Sequence, residues 1–287
     1  MAIAVVTGSS TGIGMATVAT LARAGHTVYA TMRNPEAGGK ELRAIAESEN
    51  LPLRIQTLDV NSDGSVRDAF GIIMADAGQI DVLVNNAGVG GGGAIEETPL
   101  ADFRAVMETN FFGALRCIQA VVPGMRERRS GCIVNVTSVA GRFASAPQAA
   151  YASSKFALEA LSECLAQEMR SFGVRVAIVE PGVIATPIFG KIQPPPAETR
   201  YPHSRRVTEL FRASLENPVS PFVVGEKIRE IVDSGTWQLR HPVGPDALGL
   251  LAWRTSMTDE QWVEWGATTD EQWVAHVRQN FGLNVSL

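Results

Sequence analysis

The chain has 287 residues, 45% hydrophobic and 19% charged, which is typical of a globular protein with one large domain or two small ones. A formal net charge of −5 and the lack of a long Lys/Arg run argue against a nucleic-acid surface or a patch for anionic membranes. The three cysteines and four histidines are scattered, so neither a disulfide framework nor a metal site is expected. No apolar run approaches the roughly 18 residues of a membrane span, and "MAIAVVTG" lacks a charged leader region, so we expect a cytoplasmic protein.

Short apolar runs alternate with longer amphipathic segments along most of the chain. The runs lie at residues 3–7, 27–31, 53–60, 80–88, 132–138, 174–182 and 237–244. Their hydrophobicity is continuous rather than alternating, which is typical of parallel strands covered on both faces. The sequence therefore predicts an α/β fold, a doubly wound parallel sheet of the Rossmann type with helices on both faces, in a single domain spanning 1–287.

A glycine-rich turn follows the first predicted strand. The stretch "TGSSTGIG" places glycines at 8, 12 and 14 directly before the amphipathic "MATVATLARAG". Glycines let the backbone turn tightly and approach a pyrophosphate, whose charge is favoured by the N–H groups of the following helix. The spacing differs from the common G-x-G-x-x-G, but its place in an α/β pattern favours dinucleotide binding over a turn without a ligand.

The stretch "YASSK" places Tyr151 and Lys155 four residues apart, and therefore on one face if the stretch is helical. An ammonium beside a phenol can tune a proton donor, although this pairing also arises often by chance. The other motifs of the chain decide between the two interpretations.

Together these motifs resemble the short-chain dehydrogenase/reductase family. Besides the glycine turn and "YASSK", the family pattern matches "NNAG" at 85–88, Asn110 in "TNFFG", Ser138 in "VNVTS" and "PG" at 181–182. The motifs keep the family's order and spacing, which makes the resemblance highly specific. It implies an enzyme that transfers a hydride between a nicotinamide dinucleotide and a carbonyl or alcohol.

The resemblance implies catalytic roles for four residues. Tyr151 would exchange a proton with the substrate oxygen, and Lys155 would lower the pKa of Tyr151 and bind the nicotinamide ribose. Ser138 would donate a hydrogen bond to the same oxygen as charge develops there. Asn110 would hold a water that links Lys155 to solvent; a helix residue that satisfies a backbone group is its alternative role.

The resemblance also assigns residues to the cofactor. Asp59 would accept a hydrogen bond from the adenine amino group, with the backbone of Val60 beside it; helix capping is the alternative, although Asn61 or Ser62 could serve that purpose. Thr186 would hydrogen-bond the nicotinamide carboxamide. The other expected contacts are Gly8, Ser10, Gly12, Ile13, Gly14, Asn86, Ala87, Gly88, Pro181, Gly182, Val183 and Ile184.

Arg33 predicts a preference for NADP(H) over NAD(H). NAD-binding folds of this type usually carry an acidic residue about 20 positions after the glycines, where it binds the ribose hydroxyls. Here Arg33 follows the second predicted strand, and the nearest acid, Glu36, follows Asn34 and Pro35, a typical helix N-cap and first helical residue. Arg33 can therefore face a 2′-phosphate. A solvent-exposed arginine is the alternative, because the glycine turn lacks the second basic residue of many NADP-preferring relatives.

The C-terminal half departs from the regular alternation. Residues 186–207 carry three successive prolines and no clear period, so we expect a mobile loop with at most a short helix, inside a substrate loop at 187–222. Residues 223–235 resume as helix. The C-terminal extension at 245–287 contains four tryptophans and is expected to form short helices that cap the domain.

We expect three segments to wall the substrate pocket: 89–97, 139–150 and 187–222. They offer Phe143, Ile188, Phe189, Tyr201, Phe211 and Phe222, with few candidate anion clamps, Arg142, Arg205 and Arg206. Apolar pockets suit uncharged hydrophobic molecules, so we expect a hydrophobic ketone or secondary alcohol of the steroid, retinoid or aromatic kind. The "VYATMRNPE" run and the longer C-terminus also resemble the 17β-hydroxysteroid and retinol dehydrogenase branch of the family.

Two other functions stay open. A 3-oxoacyl-thioester reductase would use the same active site but would need a basic docking surface. Arg205 and Arg206 alone are weak evidence for such a surface. A non-catalytic dinucleotide sensor would keep the glycine turn while losing the tyrosine or lysine, and this chain has both.

The helix expected to begin at "YASSK" carries apolar or small residues on more than one stripe, which is more than a sheet-facing side requires. We therefore expect a homodimer or homotetramer packed through this helix and the one around 99–122.

Overall fold

The computed structural model describes residues 1–191, 196 and 198–287 of the chain. These residues form a seven-stranded sheet in which all neighbouring strands are parallel. In chain order the strands are β1 (Ile3–Val6), β2 (Thr27–Met32), β3 (Leu53–Thr57), β4 (Val82–Asn85), β5 (Gly131–Val136), β6 (Val174–Pro181) and β7 (Arg240–Val243). Across the sheet they are ordered β3-β2-β1-β4-β5-β6-β7, which confirms the predicted doubly wound α/β fold.

Helices cover both faces of the sheet. They are α1 (Gly12–Arg23), α2 (Pro35–Gly38), α3 (Lys40–Glu49), α4 (Asp63–Ala77), α5 (Leu100–Met107), α6 (Gly113–Arg128), α7 (Ala149–Arg170), α8 (His203–Ser214), α9 (Phe222–Ser234), α10 (Ala247–Thr255), α11 (Asp259–Trp265) and α12 (Asp270–Phe281). A π-helical turn, Glu108–Phe112, joins α5 to α6. None of the described helices combines the length and the apolar character that crossing a membrane requires.

The two faces of the sheet bury separate hydrophobic clusters. Ala4 and Val6 of β1 pack into one cluster with residues of α1 and α9, whereas Val5 packs into the other with residues of α4, α6 and α7. Both faces of each central strand are therefore buried. This is why the hydrophobicity of the strands is continuous, since no strand face is left for water.

Several strands are shorter than the apolar runs that predicted them. β3 ends at Thr57 rather than at residue 60, because the Asp59 backbone N–H donates to the Ser65 hydroxyl instead of to the sheet. β4 ends at Asn85 rather than at residue 88, because the Asn86 N–H donates to the Thr7 hydroxyl. The chain thus leaves the sheet earlier than predicted, at the edge where the strands end.

The predicted substrate loop contains a helix that the sequence did not delimit. α8 begins inside the segment 186–207, where we expected a mobile loop with a short helix, and continues beyond it to Ser214. Its stability comes from tertiary contacts: Arg206 is buried and donates to Asp270 (2.8 Å) and to the Thr268 carbonyl (2.7 Å), and Ala213 packs against Trp273. The part of the predicted mobile loop at 192–195 and 197 lies outside the described residues.

Candidate active site

A cleft with a cavity volume of about 370 Å³ lies at the carboxyl ends of the strands. It opens where the strand order reverses between β1 and β4, the usual binding position in a doubly wound sheet. The cleft brings together all of the predicted site residues except Gly14 and Asn110, which are buried behind its lining. The motifs of the first half and the catalytic residues of the second half therefore form one site.

The three glycines of the first turn are required for two physical reasons. Gly8 and Gly12 have φ angles of +66° and +59°, in the left-handed region that favours glycine. Gly14 leaves room for a neighbour, because a Cβ there would lie 2.5 Å from Asn86 Nδ2. In return, the Asn86 side-chain amide donates to the carbonyls of Thr7 (2.9 Å) and Gly8 (3.1 Å). Asn86 thus fixes the turn, a role that the sequence did not reveal.

The turn fits the pyrophosphate of a dinucleotide. The side chain of Thr11, the N-cap residue of α1, caps none of the first N–H groups of the helix, and the first turn of α1 carries no acidic residue. The N–H groups at the positive end of the helix dipole are therefore available to an anion in the cleft. These are the features that a phosphate-binding turn requires.

The acidic and basic residues that we expect at the adenosine end of a cofactor are both part of the cleft. Arg33 and Asp59 both line the cleft. Asn34 accepts a hydrogen bond from the Ala37 N–H (3.1 Å) as the N-cap of α2, as predicted. Ser62 is the N-cap of α4, so Asp59 is not needed for capping. The Asp59 carboxylate accepts a hydrogen bond from the backbone N–H of Asn61 (3.1 Å).

Tyr151 and Lys155 lie on one face of α7, as the spacing predicted. The Lys155 ammonium is 5.6 Å from the centroid of the Tyr151 ring and donates to the Val136 carbonyl (3.0 Å) at the end of β5. Burial lowers the pKa of Lys155 to about 8, and the carboxylate of Glu159 acts in the opposite direction. The lysine is therefore close to losing its charge in the physiological range.

The pKa of Tyr151 differs from the expectation. Burial raises the pKa of the phenol, and the neighbouring Ser138 hydroxyl acts in the opposite direction. We expected Lys155 to lower this pKa, but the pKa is raised, and desolvation of the phenolate is the largest cause. The Tyr151 hydroxyl is thus protonated at neutral pH and can donate its proton.

Ser138 follows β5 and points toward the end of β6. Its hydroxyl accepts a hydrogen bond from the Ala140 N–H (3.1 Å) and donates to the Pro181 carbonyl (3.4 Å). Both Ser138 and Tyr151 line the cleft. The hydroxyl groups of Ser138 and Tyr151 are therefore neighbours in the cleft.

Asn110 lies in the π-helical turn and is buried. Its side chain accepts from the Val89 N–H (2.8 Å) and donates to the Val89 carbonyl (3.0 Å) and to the Ser154 hydroxyl (2.9 Å). These contacts match the alternative role, a helix residue that satisfies backbone groups. A Cβ at Gly88 would lie 3.3 Å from Asn110 Oδ1 and 3.8 Å from Lys155 Nζ, so Gly88 separates the two side chains.

The segment expected to face the nicotinamide is held by a residue that the sequence analysis missed. Asp246 accepts a hydrogen bond from the Val183 N–H (2.8 Å), and its carboxylate leaves no room for a side chain at Gly182. On the other side, Thr186 packs against Gly12, where a Cβ would lie 3.1 Å from the threonine side chain. Asp246 precedes α10 in the sequence and gives no signal that separates it from an ordinary helix N-cap.

The substrate side of the cleft is mostly aromatic and aliphatic. The predicted residues Phe143, Ile188, Phe189 and Phe211 line it. Tyr201 and Phe222 are not among the described residues that line it: Tyr201 donates to Glu96 (2.7 Å), and Phe222 packs near Arg23. The C-terminal extension adds lining residues that were not predicted, Leu250, Trp253, Trp265, Trp273, Val277 and Phe281. The density of tryptophan in this extension was the available signal.

The candidate anion clamps are paired within the protein. Arg142 pairs with Glu180 (3.0 Å), and both Arg205 and Arg206 pair with Asp270 (3.2 and 2.8 Å). They therefore do not provide the basic pocket mouth that the sequence left open. Within the described part of the chain, no three His, Cys, Asp or Glu side chains are grouped so that they could hold a metal ion.

Comparisons with known proteins identify the family of this chain. A family model described as short chain dehydrogenase matches residues 2–197. The chain is 38% identical to retinol dehydrogenase 8 of Homo sapiens over 237 residues, 80% of this chain and 75% of that protein. It is 40% identical to a 3-ketodihydrosphingosine reductase of Bacteroides thetaiotaomicron over 181 residues, 63% of each chain. A solved short-chain dehydrogenase from Streptomyces avermitilis superposes with a TM-score of 0.79 at 34% identity, covering 92% of this chain and 95% of its own. The chain therefore belongs to the short-chain dehydrogenase family and is an oxidoreductase that acts on CH–OH groups with NAD(P).

Proposed function

We propose that this enzyme interconverts a hydrophobic ketone and its secondary alcohol with NADP(H), with Tyr151 as the acid and base. The observation that carries the proposal is the course of the cleft. It runs from the glycine turn, past Tyr151 and Ser138, to a wall of aromatic side chains from α8, α10 and α12. A substrate that fills it buries an apolar body and exposes one oxygen to two hydroxyl donors.

Each catalytic residue has a distinct role in this proposal. Ser138 donates to the substrate oxygen and holds it beside the Tyr151 phenol, which gives a proton in reduction and takes one in oxidation. Lys155 stabilises the phenolate left behind when the proton is transferred. The nicotinamide, when bound, supplies or accepts the hydride. Glycines 8, 12 and 14 and the segment 182–186 would hold it with one face toward the substrate.

The preference for NADP(H) rests on Arg33. This side chain is exposed, lines the cleft, and forms no ion pair with any other described residue. A guanidinium that is free at this place can pair with a 2′-phosphate. The substrate proposal is supported by the apolar wall, and the names of two relatives, retinol dehydrogenase and 3-ketodihydrosphingosine reductase, agree with a hydrophobic substrate.

The alternative, a 3-oxoacyl-thioester reductase, is less well supported. Its acidic carrier would need free basic groups at the mouth, and Arg205 and Arg206 are both paired with Asp270. The test is a panel of steroid, retinoid, aromatic and short polar ketones, their alcohols, and an acyl thioester, each assayed by cofactor absorbance with NAD(H) and NADP(H). We expect the highest kcat/KM for a hydrophobic ketone with NADPH. A preference for the thioester or for short polar ketones would refute the proposal.

A further inference from the structure

A group of buried charged side chains lies directly behind the catalytic face of α7. Glu159 and Glu180 are only 5% and 0% exposed, and neither belongs to the lining of the cleft. A buried carboxylate lowers the stability of a protein unless positive charges and hydrogen bonds compensate it. Two of them at one place therefore call for an explanation beyond packing.

The two carboxylates share three partner residues, all from outside their own helix and strand. Glu159 accepts hydrogen bonds from the Thr137 hydroxyl (2.6 Å) and from Arg240 Nε (3.1 Å). Glu180 pairs through one oxygen with Arg142 (3.0 Å) and with Arg240 Nε (3.3 Å). Its other oxygen is buried and has no hydrogen-bond partner among the described residues. Arg240 thus lies between the carboxylates and holds both.

This cluster is joined to the catalytic residues at three points. Glu159 follows Lys155 by one helical turn, on the same face of α7. Thr137 immediately precedes Ser138, and Glu180 immediately precedes Pro181 on the nicotinamide side. The loop after Ser138 also packs tightly on this turn of the helix, because a Cβ at Gly141 would lie 3.0 Å from the Glu159 side chain and 3.1 Å from the Lys155 carbonyl.

The charge of Glu159 matters because Lys155 is buried without a direct ion pair among the described residues. Its ammonium donates to a neutral carbonyl, that of Val136, and burial opposes its charge. Glu159 is the carboxylate whose field favours the charged ammonium. The other titratable or charged groups that face this cluster are Tyr151 and Glu163 of α7, Arg142 after β5, Glu180 of β6, and Arg240 and His241 of β7.

We propose that Glu159, held by Thr137 and Arg240, is a positioning residue that keeps Lys155 protonated and in place beside Tyr151. Glu180 supports it by fixing Arg240 from the opposite side. The inference rests on the proposed role of Lys155 in catalysis and extends the site by a residue that touches neither substrate nor cofactor. It predicts that loss of the Glu159 charge makes Lys155 release its proton at lower pH.

The direct test measures Lys155 itself, without turnover. The chain has four lysines, Lys40, Lys155, Lys191 and Lys227, so protein labelled with ¹³C at the lysine ε-carbon gives few resonances, and Lys155→Met assigns the one of interest. We expect that resonance to titrate near pH 8 in the wild type, and at least about half a pH unit lower in Glu159→Gln. Glu163→Gln is the matched control, since Glu163 also pairs with Arg240 but is half exposed and one turn further from Lys155.

Two further arms keep the test decisive. Glu159→Met removes the charge and introduces an apolar side chain of similar size. In this variant Arg240 keeps its ion pairs with Glu163 and Glu180. Glu159→Met is used in place of Glu159→Gln if the glutamine variant does not fold. Either folded variant with an unchanged Lys155 titration, or an equal shift in Glu163→Gln, would overturn the inference. The alkaline limb of kcat/KM should move with the Lys155 titration. If the Lys155 titration shifts while the alkaline limb of the kcat/KM profile stays in place, the result supports the role of Glu159 and counts against the catalytic role proposed for Lys155.

Discussion

The rings of Phe189 and Phe211 pack with their centroids 4.9 Å apart on the substrate side of the cleft. Phe189 lies in the 3₁₀ turn Phe189–Lys191 and Phe211 in α8, so the contact joins two parts of the predicted substrate loop. Aromatic pairs of this kind are stabilised by burial and by their quadrupoles. The two rings therefore form part of a packed aromatic surface that a hydrophobic substrate can contact.

This relationship predicts that Phe211→Ala weakens selection of hydrophobic substrates. We expect kcat/KM for a hydrophobic ketone to fall about tenfold or more, mainly through KM, because an apolar contact of this size is worth about 1–3 kcal/mol. Steady-state kinetics with the best ketone of the panel would measure it. Phe222→Ala is the matched control, since this phenylalanine packs near Arg23 away from the cleft and its loss should leave KM unchanged.

Tyr151→Phe removes the proton donor and hardly changes the volume of the side chain. We expect kcat to fall about 10²- to 10⁴-fold, the usual contribution of proton transfer, with cofactor affinity within a few-fold of wild type. Single-turnover kinetics and cofactor fluorescence titration would separate the two quantities. Tyr201→Phe is the control, because this phenol donates to Glu96 at the surface. A Tyr151→Phe enzyme that keeps a tenth of wild-type kcat would rule out the assignment.

The low pKa of Lys155 predicts how stability depends on pH. The folded protein releases this proton near pH 8, whereas a free lysine holds it to about 10.5. Between these values the unfolded state binds more protons, so the lysine's contribution to the free energy of unfolding rises with pH, by at most about 3 kcal/mol. Below pH 8 the buried charge lowers stability by a constant amount.

Denaturant titrations of wild type and Lys155→Met at pH 7 to 10 would check this prediction. The variant lacks the group, so its free energy of unfolding should exceed that of the wild type most at pH 7, and the difference should shrink as pH rises. Lys227→Met controls for the loss of a lysine at the surface, where it pairs with Glu230. A difference between wild type and Lys155→Met that is constant across this range would contradict the buried, depressed lysine.

The fold and the first half of the site could be predicted from the sequence because they depend on local patterns. Continuous apolar strands and three glycines in one turn each have a direct physical reason, which the positions of Val5, Gly8 and Gly14 now show. The C-terminal wall and Asp246 could not be predicted. Their roles depend on where α10 and α12 pack, and short amphipathic helices carry no signal for their tertiary partners. The paired state of Arg142 is of the same kind, since Glu180 is distant in sequence.

Assembly stays a prediction, which the surface of the molecule supports. Phe112, after α5, and Phe156, on α7, are each 42% exposed, and Leu100 at the start of α5 is 63% exposed. Large exposed apolar side chains on α5, on the π-helical turn that follows it and on α7, which contacts both, favour a protein interface. We expect light scattering at micromolar concentration to show a dimer or tetramer, and Phe112→Asp combined with Phe156→Asp to give a monomer. Val263→Asp, at an exposed apolar position of α11, should leave the mass unchanged. A monomeric wild type would refute the prediction.

We expect the choice of cofactor to depend on Arg33. The side chain follows β2, lines the cleft and forms no salt bridge with another described residue. A charge-assisted bond to a 2′-phosphate is worth about 1.5–3 kcal/mol, roughly ten- to a hundredfold in affinity. We therefore expect wild type to favour NADP(H), Arg33→Ala to lose that preference, and Arg33→Asp to reverse it by repelling the phosphate and accepting from the ribose hydroxyls.

Arg33 is a better position than Met32 for an introduced carboxylate, because the two residues differ in burial. Met32, the last residue of β2, is 3% exposed and would be a poor host for a carboxylate, since an unpaired buried charge lowers stability. Arg33 is exposed, so its variants should fold as the wild type does. The measurement is kcat/KM for NADPH and NADH in wild type and both variants, with Arg67→Ala on α4 as the control for loss of a surface arginine. A wild type that favours NADH, or a preference for NADPH that survives in Arg33→Asp, would show that another residue sets the choice.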